Sequence, residues 1–213
     1  MNIKTFQGGY DKNLCYLYWC NKTKHAALID ASVEINPILE FIEENNLILS
    51  KILITHTHHD HIVYINDWLE QNPLINIYCY NKSKNIKFKF IGLLNNEMIS
   101  IGNEILIAIY TPGHFYDSMC FWSKDHSFIF TGDTMFVGRT GRVISAQSNI
   151  SDLYNSIYKC ILSLPEKTII FPGHHYGYKK TISLKENKQL SNFFTCNSLD
   201  NFKKVMENYE KNR

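Results

Sequence analysis

The chain has no apolar run near the ~18 residues that a membrane-crossing helix needs, so a spanning segment is not expected. It opens Met1-Asn2-Ile3-Lys4-Thr5-Phe6 and supplies no apolar core with a cleavage site, so no signal peptide is read. Close cysteine pairs are missing too. The six cysteines stand at 15, 20, 79, 120, 160 and 196, a scatter that excludes a cysteine-based zinc knuckle and a disulfide-dense scaffold. Several lie inside apolar runs such as Cys15-Tyr16-Leu17-Tyr18-Trp19-Cys20, where a buried free thiol is the ordinary state. A reducing, cytoplasmic setting follows as the expectation.

Charge of one sign is scarce as well. The formal net charge is +2, with Lys and Glu interspersed, which is not decisive about nucleic acid; neither a nucleic-acid nor a membrane partner is expected. The one lysine-rich patch, Lys82, Lys84, Lys87 and Lys89, includes the alternation Lys87-Phe88-Lys89-Phe90, which reads as the wet side of a surface strand. Proline numbers only 5 and forms no linker, and no repeat is visible. One domain over 1–213 is the expectation, with a short, more polar C-terminal extension over 181–213 packed on it. Monomer and homodimer both remain open, an apolar face over 62–69 serving either dimerisation or ordinary packing.

What the chain does have is a 45% hydrophobic composition, ample for a large core. Leu14 to Cys20 and His25 to Ile29 read as paired strands around a turn at Asn21-Lys22-Thr23-Lys24. A helix follows from Ser32 with Pro37 in its first turn and Ile38, Leu39, Phe41 and Ile42 at helical spacing. Lys51 to Ile54 is a buried strand, Ile62 to Leu69 a helix stopped by Pro73, and Leu74 to Tyr80 a strand. Strand-like pieces then run to Tyr110. Ser118 to Trp122 and Ser127 to Phe130 pair, Asp152 to Leu164 is a helix, Thr168 to Phe171 a last strand, and Leu199 to Tyr209 a last helix. Two sheets with helices outside them fit this order.

Four of these apolar segments end in polar residues suited to a metal. The densest is Thr55-His56-Thr57-His58-His59-Asp60-His61, which packs four imidazoles and a carboxylate into the span His56 to His61. The others are Thr111-Pro112-Gly113-His114, Thr131-Gly132-Asp133-Thr134 and Pro172-Gly173-His174-His175-Tyr176. Ligands at strand ends can converge on one sheet rim, and Gly113, Gly132 and Gly173 suit tight turns beside it.

In this order the motifs resemble the metallo-β-lactamase superfamily, and within it glyoxalase II (hydroxyacylglutathione hydrolase) and its short relatives, including persulfide dioxygenases. The resemblance covers nearly the whole chain. It implies an α+β fold, an αβ/βα four-layer sandwich. It implies that His56, His58 and His114 bind one metal, that Asp60, His61 and His174 bind a second, and that Asp133 bridges them. His59 falls at the variable position, and His25, His126 and His175 are read as surface, structural or rim residues. Two Zn2+ ions are implied, with Fe2+ the alternative. The implied activity is hydrolysis of a small acyl thiol, possibly glutathione-derived, by a metal-bridging hydroxide, with Asp60, His58 and Asp133 catalytic. The alternative is a mononuclear-iron persulfide dioxygenase holding iron through His56, His114 and Asp133. A non-catalytic scaffold is the remaining option.

Arg139 and Arg142, flanking Thr140-Gly141, and Tyr176 are the candidate substrate contacts. Either arginine can instead anchor the loop by a salt bridge. Two departures from the family stand out. Only a short segment follows His174, where glyoxalase II has a long helical domain with basic residues. Phe115 also stands where the family has a threonine after the histidine.

Overall fold

The computed structural model describes residues 2–212. Two six-stranded sheets lie face to face, each with its strands side by side in chain order. The first contains β1 (Ile3–Gly8), β2 (Asn13–Trp19), β3 (His25–Ile29), β4 (Ile48–Leu53), β5 (Asn76–Tyr80) and β6 (Ile91–Leu93). The second contains β7 (Glu97–Ile101), β8 (Glu104–Tyr110), β9 (Met119–Ser123), β10 (Phe128–Gly132), β11 (Ile169–Pro172) and β12 (Ile182–Ser183). Strands β3 to β6 run parallel, as do β10 and β11, and the other pairs are antiparallel.

Period-2 alternation decides the layering. Leu14, Tyr16, Tyr18, Ala27, Ile29 and Leu53 point inward and meet Leu106, Ala108, Met119, Phe121, Phe128 and Phe130 of the second sheet. Their alternates, Cys15, Leu17, Ala26, Leu28 and Ile52, point outward and bury Ile38 of α1 (Asn36–Glu44). The same face holds Ile65 and Trp68, carried on α3 (Ile65–Gln71) beyond α2 (His59–Ile62). Outside the second sheet, Leu153 of α4 (Ile150–Asn155) and Ile157 and Ile161 of a π-helical turn (Ser156–Ile161) cover Ile129 and Ile170. Beyond α5 (Leu184–Leu190), Phe202 and Met206 of α6 (Leu199–Lys211) join that cluster. Each Leu, Ile, Phe or Met side chain among them, buried from water, contributes roughly 1.5–3 kcal/mol. The order of layers is helix, sheet, sheet, helix: the expected sandwich.

Three expectations need correction. Residues 62–69 form no single helix. α2 and α3 are separate because Ala31 takes the backbone between them: its N–H donates to His61 O (2.9 Å) and its carbonyl accepts from Tyr64 N–H (3.1 Å). Lys87 to Phe90 is irregular rather than a strand, although the alternation in burial holds, with Phe88 and Phe90 packed against the first sheet's outer core. The helix expected over Asp152 to Leu164 changes winding at Ser156. It starts cleanly, because the Asn149 side chain accepts from the N–H groups of Ser151 (2.9 Å) and Asp152 (3.1 Å). No helix among the described residues is long and apolar enough to cross a membrane. None of the six cysteines forms a disulfide.

Candidate metal centre

The polar motifs leave their strands on one rim, where the two sheets are stitched together. Leu14 N–H donates to Gly173 O (2.8 Å) and Met119 N–H to Thr55 O (2.7 Å), while Gly173 N–H to Gly132 O (2.8 Å) joins the ends of β10 and β11 within the second sheet. The segments after β4, β8, β10 and β11 therefore meet.

Three nitrogens converge first. His56 Nε2 lies 2.9 Å from His58 Nδ1, and His114 Nε2 lies 3.0 Å from the same Nδ1. Beside them, His61 Nε2 and His174 Nε2 stand 3.2 Å apart, with Asp60 Oδ2 at 3.5 Å and 3.3 Å from them respectively. Asp133 reaches both groups: Oδ2 is 3.5 Å from His114 Nε2 and 3.4 Å from His174 Nε2, and Oδ1 is 3.3 Å from His61 Nε2. The sets His56/His58/His114 and Asp60/His61/His174 each have the spacing that a metal ion requires, as does His56/His61/Asp133.

The surroundings aim lone pairs inward. His114 Nδ1–H donates to Arg142 O (2.9 Å), His174 Nδ1–H to Asp11 O (3.0 Å) and His61 Nδ1–H to Asp30 Oδ2 (2.8 Å). Each bond fixes the tautomer that leaves Nε2 free to ligate. The Thr55 hydroxyl donates to Asp30 Oδ2 (2.8 Å) and so accepts from His56 Nδ1–H (3.1 Å). Asp60 Oδ2 accepts from Asn13 Nδ2 (2.9 Å).

The charges fit cations. Burial, then the neighbouring His61, holds His56 well below the ordinary histidine range; burial, then His114, lowers His58 to about 4. Burial opposes charge on His174, but the Asp133 carboxylate outweighs it and lifts the ring to about 9. Asp133 is itself held well below the carboxylate range, its burial outweighed by His174 and His61. Its Oδ1 is buried without a hydrogen-bond partner among the described residues, as befits an oxygen reserved for a cation. Backbone makes room: a Cβ on Gly173 would come within 2.4 Å of that Oδ1, and one on Gly141 within 2.7 Å of His114 Nδ1. Nitrogen and carboxylate donors of this kind suit zinc or iron.

A cleft of about 400 Å³ opens over the centre, walled by Arg139, Arg142, Tyr176, Phe136 and Ile144. The three proposed substrate contacts thus share one wall with the ligands. Among the described residues neither arginine forms a salt bridge, so neither anchors the loop that way. Arg142 is exposed, and its carbonyl holds His114. Tyr176 stacks on His174 with ring centroids 4.8 Å apart and donates to Asp11 Oδ2 (2.6 Å). Phe115 lies against His58 at 4.1 Å, closing one side of the three-histidine set. His59 is exposed and belongs to no ligand group.

Four supporting residues are not among those singled out from sequence: Asn13, Asp11, Asp30 and Asp117. Asp117 accepts from the Thr57 hydroxyl (2.6 Å) and backbone N–H (3.2 Å), bracing the histidine loop. Asp30 had a signal, since it closes the apolar run His25-Ala26-Ala27-Leu28-Ile29 with a charge.

Residues 8–174 match the Metallo-beta-lactamase superfamily, and the chain belongs to it. It is 32% identical over 185 residues to the probable polyketide biosynthesis zinc-dependent hydrolase BaeB of Bacillus velezensis, covering 83% of this chain and 79% of that protein. It is 31% identical over 182 residues to the hydroxyacylglutathione hydrolase of Francisella philomiragia, covering 84% of this chain and 71% of that one. The crystal structure of ETHE1 from Myxococcus xanthus superimposes with a TM-score of 0.88 at 26% identity, covering 98% of this chain and 91% of that one. With its buried ligand clusters, this superfamily fold marks a metal-dependent enzyme of hydrolase type.

Proposed function

We propose that the protein hydrolyses small acyl thioesters at a dinuclear zinc centre, with His56, His58 and His114 holding one ion, Asp60, His61 and His174 the other, and Asp133 shared. The carrying observation is the position of Asp133, whose carboxylate touches both nitrogen groups at 3.3–3.5 Å. Zinc held by these residues would supply Lewis acidity and lower the pKa of a bound water to near ~7. The chain's own residues do the rest. Asp60, fixed by Asn13, can orient the attacking water by accepting its hydrogen bond. Phe136 and Tyr176 wall the cleft beside His174, and Arg139 and Arg142 offer cations to the thiol carrier. A thiolate leaves without strong acid assistance, since thiol pKa values lie near ~8.5. The names of the relatives, zinc-dependent hydrolase and hydroxyacylglutathione hydrolase, support this reading. Release of thiol from S-lactoylglutathione by the zinc-loaded protein tests it; loaded protein that releases thiol from neither that substrate nor an acyl-coenzyme A counts against it.

A second reading follows from the resemblance of the motifs to persulfide dioxygenases: a single iron held by His56, His114 and Asp133. It gives Asp60, His61 and His174 no ion, although their donor atoms face one another at 3.2–3.5 Å.

A further inference from the structure

Arg139 is held in an unusual way for a charged side chain. Its guanidinium carbon lies 3.8 Å from the Tyr176 ring centre, 5.6 Å from Phe136 and 5.5 Å from Tyr209. One terminal nitrogen donates to the Tyr209 hydroxyl. Its Nε is buried without a hydrogen-bond partner, and no carboxylate lies within ion-pair distance among the described residues. Aromatic rings hold a cation but leave its charge in place. Of the cleft's three carboxylates, Asp11 is engaged by the Tyr176 hydroxyl, and Asp60 and Asp133 stand among the metal-ligand groups.

The cage comes from the C-terminal segment. Tyr209 belongs to α6, and the buried Asn187 of α5 grips the same loop, accepting from Gly138 N–H (2.8 Å) and donating to Phe136 O (2.9 Å). Two helices that carry no metal-binding residue thus hold the backbone just before Arg139 and the Arg139 side chain at the rim.

We propose that α6 completes the substrate cleft: Tyr209 positions Arg139 so that its free donors grip an oxyanion, carboxylate or phosphate, on the thiol carrier of the acyl substrate. A pre-oriented guanidinium binds such groups through paired hydrogen bonds. The proposal rests on the thioesterase reading for the identity of the ligand as a thiol carrier.

The test measures equilibrium binding of three thiols to the metal-loaded full chain: glutathione, which carries carboxylates, coenzyme A, which carries phosphates, and neutral N-acetylcysteamine. Tyr209→Phe should weaken one charged thiol by about five- to tenfold and move N-acetylcysteamine by less than about twofold; which charged thiol responds identifies the oxyanion. With the matching acyl thioesters the loss should fall on KM rather than kcat. Arg139→Lys, which leaves α6 intact and loses the planar fork, should weaken the same ligand and carries the test if Tyr209→Phe does not fold. Equal shifts on all three thiols, no shift on any, or no wild-type preference for a charged thiol would overturn the proposal. Charged-thiol selectivity without thioester turnover would retain the oxyanion grip and remove the thioesterase reading, whereas turnover without selectivity would do the reverse.

Discussion

His61 donates its Nδ1 proton to Asp30 across 2.8 Å, and the same carboxylate oxygen accepts from Thr55, whose hydroxyl receives His56. One buried acid thereby orients a histidine of each metal group. Asp30→Asn cannot accept from both at that oxygen without losing charge and geometry, and outer partners of this kind are worth about 10–100-fold in metal affinity. We expect zinc affinity, measured by chelator competition, to fall by about that factor while far-UV circular dichroism is retained. An unchanged affinity would remove Asp30 from the account.

The two ligand groups should be separable. His58→Ala should reduce bound zinc, and so should His174→Ala, each towards one ion per chain, with turnover lost by at least about a hundredfold if both ions serve catalysis. Metal content by mass spectrometry checks this. A single-iron enzyme using His56, His114 and Asp133 would tolerate His58→Ala better, because His58 is outside that set.

Gly173→Ala tests the close approach of backbone to the bridging acid. Its Cβ would meet Asp133 Oδ1 at 2.4 Å and His61 Cε1 at 2.8 Å, so both side chains must move. Metal binding should suffer more than folding: the expected result is lower zinc content with a smaller change in the melting temperature of metal-stripped protein.

The pH dependence of metal-stripped protein has a definite sign. His174 is raised from 6.5 to about 9, so its contribution to stability is complete below ~6.5 and lost as pH climbs towards 9. His58 is lowered from 6.5 to about 4; the unfolded chain takes up that proton first, and stability falls as pH drops from ~6.5 to 4. Melting temperature in chelator should therefore peak near pH ~6.5 and decline on both sides. A steady rise from 6.5 to 9 would contradict the charge pattern assigned to the site.

If residues 181–213 form one folding unit with the sandwich, truncating Phe202, which is fully buried against the second sheet, should lower the stability of a single cooperative transition. Phe202→Ala is expected to cost about 3–5 kcal/mol. A separate early transition would show an independent appendage.

The rim was legible because ligands follow apolar strands, and that pattern survives in sequence as His56, His114, Asp133 and His174 after hydrophobic runs. Most strands were legible as apolar runs bounded by turn residues, with edges off by a few residues, as at β4, expected over Lys51 to Ile54 and found over Ile48–Leu53. Asn13 was not legible, and Asp30 showed only as a charge closing an apolar run, since their roles depend on β2 and β3 lying beside the histidine loop. Tyr209 is further removed: it reaches Arg139 across 70 residues, and within α6 it reads as one more residue of the apolar stripe. The break between α2 and α3 escaped for the same reason, being imposed by Ala31 from another segment.

Metal analysis of protein purified without added metal, joined to two activity assays on the same sample, decides whether the centre is that of a dinuclear zinc thioesterase. The expected result is two zinc ions per chain and release of thiol from S-lactoylglutathione. One iron per chain, with oxygen uptake on glutathione persulfide and no thioester turnover, would contradict it.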